Sequence, residues 1–159
     1  MTKRRIKAGT LIIIIIIAAC IIAYVFVFHI PRPILSASEI IIPTETTMSY
    51  TDIDGNETVE RYPAGTILVE SVHGGVVATI EQSVLEAALK NTTSLREINA
   101  PTYIVLDDYI YSISIVTNKG PLHLMIGDEK SFWYRDGGDP FRNVFRNNEK
   151  ILKGFTPVG

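Results

Sequence analysis

The sequence predicts an α+β fold: an N-terminal transmembrane helix followed by an antiparallel β meander with one packed helix. Three observations predict it. Residues 8–30 carry no charge and contain six consecutive isoleucines, Ile12 to Ile17. Beyond them, short runs rich in β-branched and aromatic residues are separated by Gly, Asn, Asp and Pro turns, the pattern of strands joined by hairpins. The best helical spacing outside the apolar run lies near residues 80–90.

The apolar run organises the chain. At 1.5 Å per residue a helix over 8–30 is about 34 Å long, enough for a hydrocarbon core of about 30 Å. A lone span must satisfy every backbone group internally, so it has to be helical despite the modest helix propensity of isoleucine. Pro31 and Pro33 cannot continue the ladder. Lys3, Arg4, Arg5 and Lys7 precede the run and Arg32 alone follows closely, so the positive-inside rule predicts a cytoplasmic tail over 1–7. Residues 31–37 then read as a short stiff linker and 38–159 as an extracytoplasmic domain. Ile17-Ala18-Ala19-Cys20 also resembles a lipobox, in which Cys20 would carry lipid. Ten further apolar residues follow where a polar tether is expected, so an uncleaved anchor is the simpler reading.

Composition narrows the function classes. Five of the fifteen Lys/Arg lie within the first 33 residues and none of the seventeen Asp/Glu does, leaving residues 34–159 with a formal charge of −7. Such a domain is repelled rather than attracted by an anionic membrane or wall, which speaks against nucleic acid or lipid headgroups as ligands. A single cysteine excludes an internal disulfide, and an exported domain without bridges points to a bacterial setting.

After the linker, Ser38–Ile42 reads as a first strand. Residues 46–53 and 57–62 flank Asp54-Gly55-Asn56 as a hairpin, and 66–72 is another strand ended by His73-Gly74-Gly75. Thr79 and Gln82 fit a capping box, which predicts a helix over 80–90. Residues 91–99 are polar and read as loop. Residues 109–117 and 122–126 are strands joined at Asn118-Lys119-Gly120, and 131–135 is a further strand. Asp139-Pro140 reads as an N-cap with proline at the first helical position, predicting a short helix that carries Phe141, Val144 and Phe145.

This order of basic start, isoleucine-rich span, Asp-Gly turn, helix, Asn-Lys-Gly hairpin and aromatic strand resembles the small membrane-anchored extracytoplasmic α+β domains of Gram-positive bacteria. That group has no assigned function, and the resemblance transfers no catalytic residue.

The aromatic turn is the candidate binding surface. Trp133 and Tyr134 lie beside Asp136 and Asp139, with Arg135 and Arg142 placed to grip an acidic group on a sugar or peptide. Against it stands the simpler account of an inward-facing aromatic strand followed by a turn. Residues 52–57 imitate a calcium loop, but the sixth and twelfth positions are Glu57 and Pro63, so a hairpin turn is preferred. Asp107-Asp108 reads as a turn. His29, His73 and His123 have no zinc spacing, and no nucleophile motif is present, so no cofactor, metal or catalytic residue is assigned.

The expected function is therefore a single-pass membrane protein, held in the bilayer by 8–30, whose outer domain binds a protein, peptide or wall polymer. Two alternatives use other features. An accessory subunit would pack its span through Ala19 and Ala23, and a cell-surface hydrolase would use His73 or His123 with scattered carboxylates.

Overall fold

A computed structural model describes residues 8–51, 55–98, 108–136 and 141–158. Helix α1 (Ala8–Phe28) comprises the apolar run, and 20 of its residues, Gly9–Phe28, reach a mean hydropathy of 3.4. It is long and apolar enough to cross a membrane, and none of it is buried in the protein. It ends two residues earlier than expected, ahead of Pro31 and Pro33.

The remaining chain is an antiparallel sheet with short helices. In chain order the strands are β1 (Arg32–Pro33), β2 (Thr46–Thr51), β3 (Glu57–Tyr62), β4 (Thr66–Ser71), β5 (Val76–Glu81), β6 (Thr93–Ile98), β7 (Tyr111–Thr117), β8 (Gly120–Ile126), β9 (Ser131–Arg135), β10 (Phe141–Phe145) and β11 (Thr156–Pro157). Helix α2 (Gln82–Lys90) follows β5, and one turn, α3 (Glu149–Leu152), follows β10. Among the described residues, nine strands form one sheet in the order β1-β6-β10-β9-β8-β7-β4-β5-β11, while β2 and β3 form a separate ribbon. The α+β class and its meander are thus as the sequence predicts.

Alternation builds the core. Ile113, Ile115, Leu122, Leu124, Val69 and Ile80 face one side of the sheet, where Leu85 and Leu89 of α2 close over them; all are at most 4% exposed. A second, smaller cluster of Tyr109, Met125, Phe132 and Val144 lies against the other face.

Five local expectations are corrected. Residues 31–37, expected as a short stiff linker outside the domain, are part of it: β1 pairs with β6, and Ile34 and Leu35 are buried in the main core, each stabilising it by about 1.5–3 kcal/mol. Backbone bonds from Ile34 to Thr92 and from Leu35 to Leu89 bind this segment to the end of α2. Residues 38–42 form only a bridge, Ile41 to Thr117, flanked by bonds from the Ile42 N–H to the Val116 carbonyl and from the Asn118 N–H to the Ile40 carbonyl. Thr79 does not cap a helix: the β-branched run Val76–Ile80 stays extended, and α2 begins at Gln82 with Glu81 as an N-cap that makes no side-chain bond. Instead of reaching back, the Gln82 amide donates to the Ile41 carbonyl at 2.8 Å. Residues 93–98 are not loop but strand β6, whose polar side chains suit a place near the sheet edge. Residues 141–145 are strand β10, not helix; Val144 enters the smaller cluster and Phe145 the main core, so burial on both faces imitates helical spacing. Asp139 and Pro140 lie outside the described residues.

Candidate functional site

The Asn-Lys-Gly hairpin sets the geometry. Pairing Thr117 with Gly120 forces Ser114 opposite His123, and the β8–β9 register places Tyr134 opposite His123 in turn. These three residues form a row on the face away from the main core. Ser114 Oγ lies 3.0 Å from His123 Nδ1, and His123 Nε2 lies 3.1 Å from Asp136 Oδ1. The Tyr134 ring stacks on the imidazole with centroids 4.8 Å apart. Burial and the nearby Asp136 charge both push the Tyr134 phenol above its ordinary value, because each disfavours phenolate.

Beside this row the sheet opens. Strand β7 pairs with β4 only at Ser112–Glu70 and Tyr111–Ser71. At its other end its edge is taken by the 40–42 segment, where Ile42 N–H donates to the Val116 carbonyl at 2.8 Å. Backbone groups of alternate residues point to the same side of a strand, so the N–H and C=O of Ser114 point into the gap. Among the described residues, Ser114 has no ladder partner there. The gap is a groove of about 400 Å³. Leu68, Val116, Pro121 and Ile42 give it apolar walls, while Thr44, Thr46, Thr66, Glu70, His123 and Asp136 supply polar groups.

A wider depression of about 730 Å³ runs along residues 64–66 and α2. Two of its charges already serve the fold: Lys90 bonds Glu86 at 2.6 Å, and Glu86 accepts from the Ile41 N–H. The smaller groove is the better candidate because its polar groups converge on open space.

Strand alternation divides the candidate surface read from the sequence. Trp133 and Arg135 face the main core side. The Trp133 indole N–H donates to Ser94 Oγ at 2.9 Å, and Arg135 pairs with buried Glu39 while also donating to Thr117 Oγ1 at 3.1 Å. Tyr134 and Asp136 face the opposite side and join the groove cluster. Arg142 pairs through its backbone with Glu97 in the β6–β10 ladder, but its side chain, like Asp139, lies outside the described residues. The expected single surface is therefore two. Ser114, Glu70 and His123 as a groove residue went unread, although the hairpin turn by itself fixes the Ser114–His123 pairing.

The order Ser–His–Asp is that of hydrolytic triads, but the ring is reversed relative to the serine-protease template: Nδ1 meets the hydroxyl and Nε2 the carboxylate. Acyl transfer also needs N–H donors converging on the developing oxyanion. The Ser114 N–H lies in the plane of the sheet, whereas its Oγ stands out from it, so the row is better built for holding polar groups than for attacking a carbonyl. Among the described residues no group of three His, Cys, Asp or Glu is arranged to hold a metal ion.

The site belongs to a sheet-centred α+β domain carried on an apolar N-terminal helix. No family model matches the chain, and neither a curated protein nor a solved structure shows significant similarity to it.

Proposed function

We propose that this chain is a single-pass membrane-anchored binding protein with a cytoplasmic N-terminus and its sheet domain outside. The basic residues before α1 support that orientation. The groove between β4 and β7 holds an extended peptide segment of basic character. The carrying observation is the interrupted ladder at Ser114: its N–H and C=O meet the groove as the edge of a sheet meets an added strand. Glu70 and Asp136 at the rim, and the net −7 of residues 34–159, favour positive charge on the ligand.

The test is a positional-scanning hexapeptide library presented to the full-length protein in nanodiscs. Enrichment of Lys or Arg between β-branched residues is expected, with loss of binding when Leu68→Trp fills the groove or when the peptide amides are N-methylated. Binding that survives both changes would remove the groove from the account.

Hydrolysis is the second reading, favoured by the continuous Ser114–His123–Asp136 chain of hydrogen bonds. A fluorophosphonate probe separates the two. Labelling at Ser114 that His123→Ala abolishes establishes a nucleophile, and an unlabelled but peptide-binding protein establishes the first reading.

A further inference from the structure

The β2–β3 ribbon is tethered to the main sheet at both walls of the groove. Ahead of β2, the Ile42 N–H is bonded to the Val116 carbonyl of β7. Behind β3, the chain turns through Pro63 and Gly65 into β4, and the Thr66 N–H donates to the Pro63 carbonyl at 3.0 Å. Gly65 has a φ of +95°, a left-handed conformation that glycine adopts without strain. Among the described residues, β2 and β3 pair only with each other.

The bridge from Ile41 to Thr117 has a register that extends into the groove. Its flanking bonds join Ile42 to Val116 and Asn118 to Ile40, so residues 40 and 42 turn their backbone groups toward β7 and residue 41 turns away. Continued by one further pair, the same register sets Thr44 opposite Ser114, with both backbone groups of each facing the other. Pro43 falls at a position that faces away from β7, so its missing N–H removes no bond from this ladder. Thr44 is exposed and lines the groove together with Ser114. Among the described residues, Thr44 has no ladder partner either.

We propose that residues 43–45 form a strap that closes the groove by extending this bridge. In the closed form the Thr44 N–H donates to the Ser114 carbonyl, and the Ser114 N–H donates to the Thr44 carbonyl. Two backbone bonds are gained against the order imposed on three residues, effects of similar size, so the strap exchanges between open and closed forms. A closed strap covers the same edge that an added peptide strand uses. The competition with peptide rests on the groove reading given above, whereas the closure itself does not.

Cys20 is the sole cysteine, so Cys20→Ser provides a thiol-free background. In full-length protein in nanodiscs, Thr44→Cys with Ser114→Cys should form a disulfide when oxidised glutathione is added, because directly opposed strand residues lie within bridging distance. Glu45→Cys with Ser114→Cys, one residue out of register, should react about tenfold more slowly. Thr44→Pro removes one of the two closing bonds without adding a thiol. It should speed hydrogen exchange of the Ser114 amide about twofold, and raise affinity for the lysine-containing hexapeptide enriched from the library by the same factor, since both follow the open fraction. Equal cross-linking of the two cysteine pairs overturns the strap, as does Ser114 exchange that ignores Thr44→Pro. The exchange measurement decides the matter even if a cysteine pair fails to fold. A cross-linked protein that still binds the hexapeptide overturns the groove reading and leaves the closure standing.

Discussion

The guanidinium of Arg135, at the end of β9, donates to the carboxylate of Glu39, which lies 96 residues earlier and is only 3% exposed. Thr117 Oγ1 donates to the same carboxylate oxygen at 3.0 Å, and the Lys119 ammonium lies 3.6 Å from the other. This joins the segment that enters from α1 to the centre of the sheet. Read from the sequence alone, Arg135 is an exposed ligand-gripping residue with little part in folding. In the structure it neutralises a buried charge.

Arg135→Ala is therefore expected to destabilise the domain by about 2–4 kcal/mol, somewhat less than a fully enclosed pair because the Arg135 side chain keeps 24% of its exposure. Replacing both partners, Glu39→Leu with Arg135→Met, should recover most of that loss, since no unpaired charge remains. Urea denaturation at neutral pH measures both. An Arg135→Ala protein as stable as the wild type would show that the pair is not formed in solution.

The same carboxylate predicts acid sensitivity. Burial pushes the Glu39 pKa up, but the hydrogen bond and charge of Arg135, with Thr117 and Lys119, outweigh burial and leave it below 4.5. Glu86 is also lowered, first by the Lys90 hydrogen bond; burial opposes this, and the Ile41 N–H adds to it. A carboxylate with a depressed folded-state pKa stabilises the protein above its unfolded value and loses that contribution as pH falls through the folded value. The urea midpoint should thus decline from about pH 4.5 downward. Glu39→Gln should flatten the decline, and an unchanged slope would contradict the Glu39 assignment.

Which parts of this fold were legible follows from how strongly each segment's neighbours override its own pattern. Strands β7 and β8 are read correctly because one face is apolar and the Asn-Lys-Gly turn fixes the register. Residues 34–35 are misread because two apolar residues beside two prolines look like an exit, and only tertiary packing makes them core. Strand β6 is hidden because Ser94, Arg96 and Glu97 meet solvent, ions and the indole N–H rather than an apolar layer. The groove is least legible of all. It arises where β4 and β7 diverge, and no local property of either strand encodes the divergence.

Two glycines of ordinary backbone conformation make opposite predictions about tolerance. A Cβ on Gly127 would lie 2.4 Å from the Asp108 carbonyl oxygen and 2.7 Å from that of Lys130, both backbone atoms. A Cβ on Gly154 would meet the ends of the Ile80 and Val84 side chains at 2.7 and 2.8 Å, and these have freedom to turn. Gly127→Ala should cost at least about 1–3 kcal/mol, and Gly154→Ala clearly less. Thermal denaturation of the two variants side by side decides the order, and the reverse order would contradict the tight turn between β8 and β9.

The last prediction concerns the cluster at the groove, where Tyr134 serves as an internal indicator. Its phenol is raised by two causes, burial first and the Asp136 charge second. Asp136→Asn removes the second cause and leaves the first, so the Tyr134 pKa should fall yet stay above its ordinary value of 10.0. Ultraviolet titration of tyrosinate, with Tyr134→Phe to assign the signal, measures this directly. Stability must follow with a definite sign. The phenol is neutral in folded and unfolded chains at neutral pH, and above about pH 10 the unfolded chain ionises first, so stability is lost as pH rises. Asp136→Asn should reduce that alkaline loss. At neutral pH the same substitution should change stability by less than about 0.5 kcal/mol, because the Asp136 side chain is 64% exposed. A Tyr134 pKa unmoved by Asp136→Asn would mean that the carboxylate does not sit beside the His123–Tyr134 stack, and the acidic rim assigned to the groove would have to be redrawn.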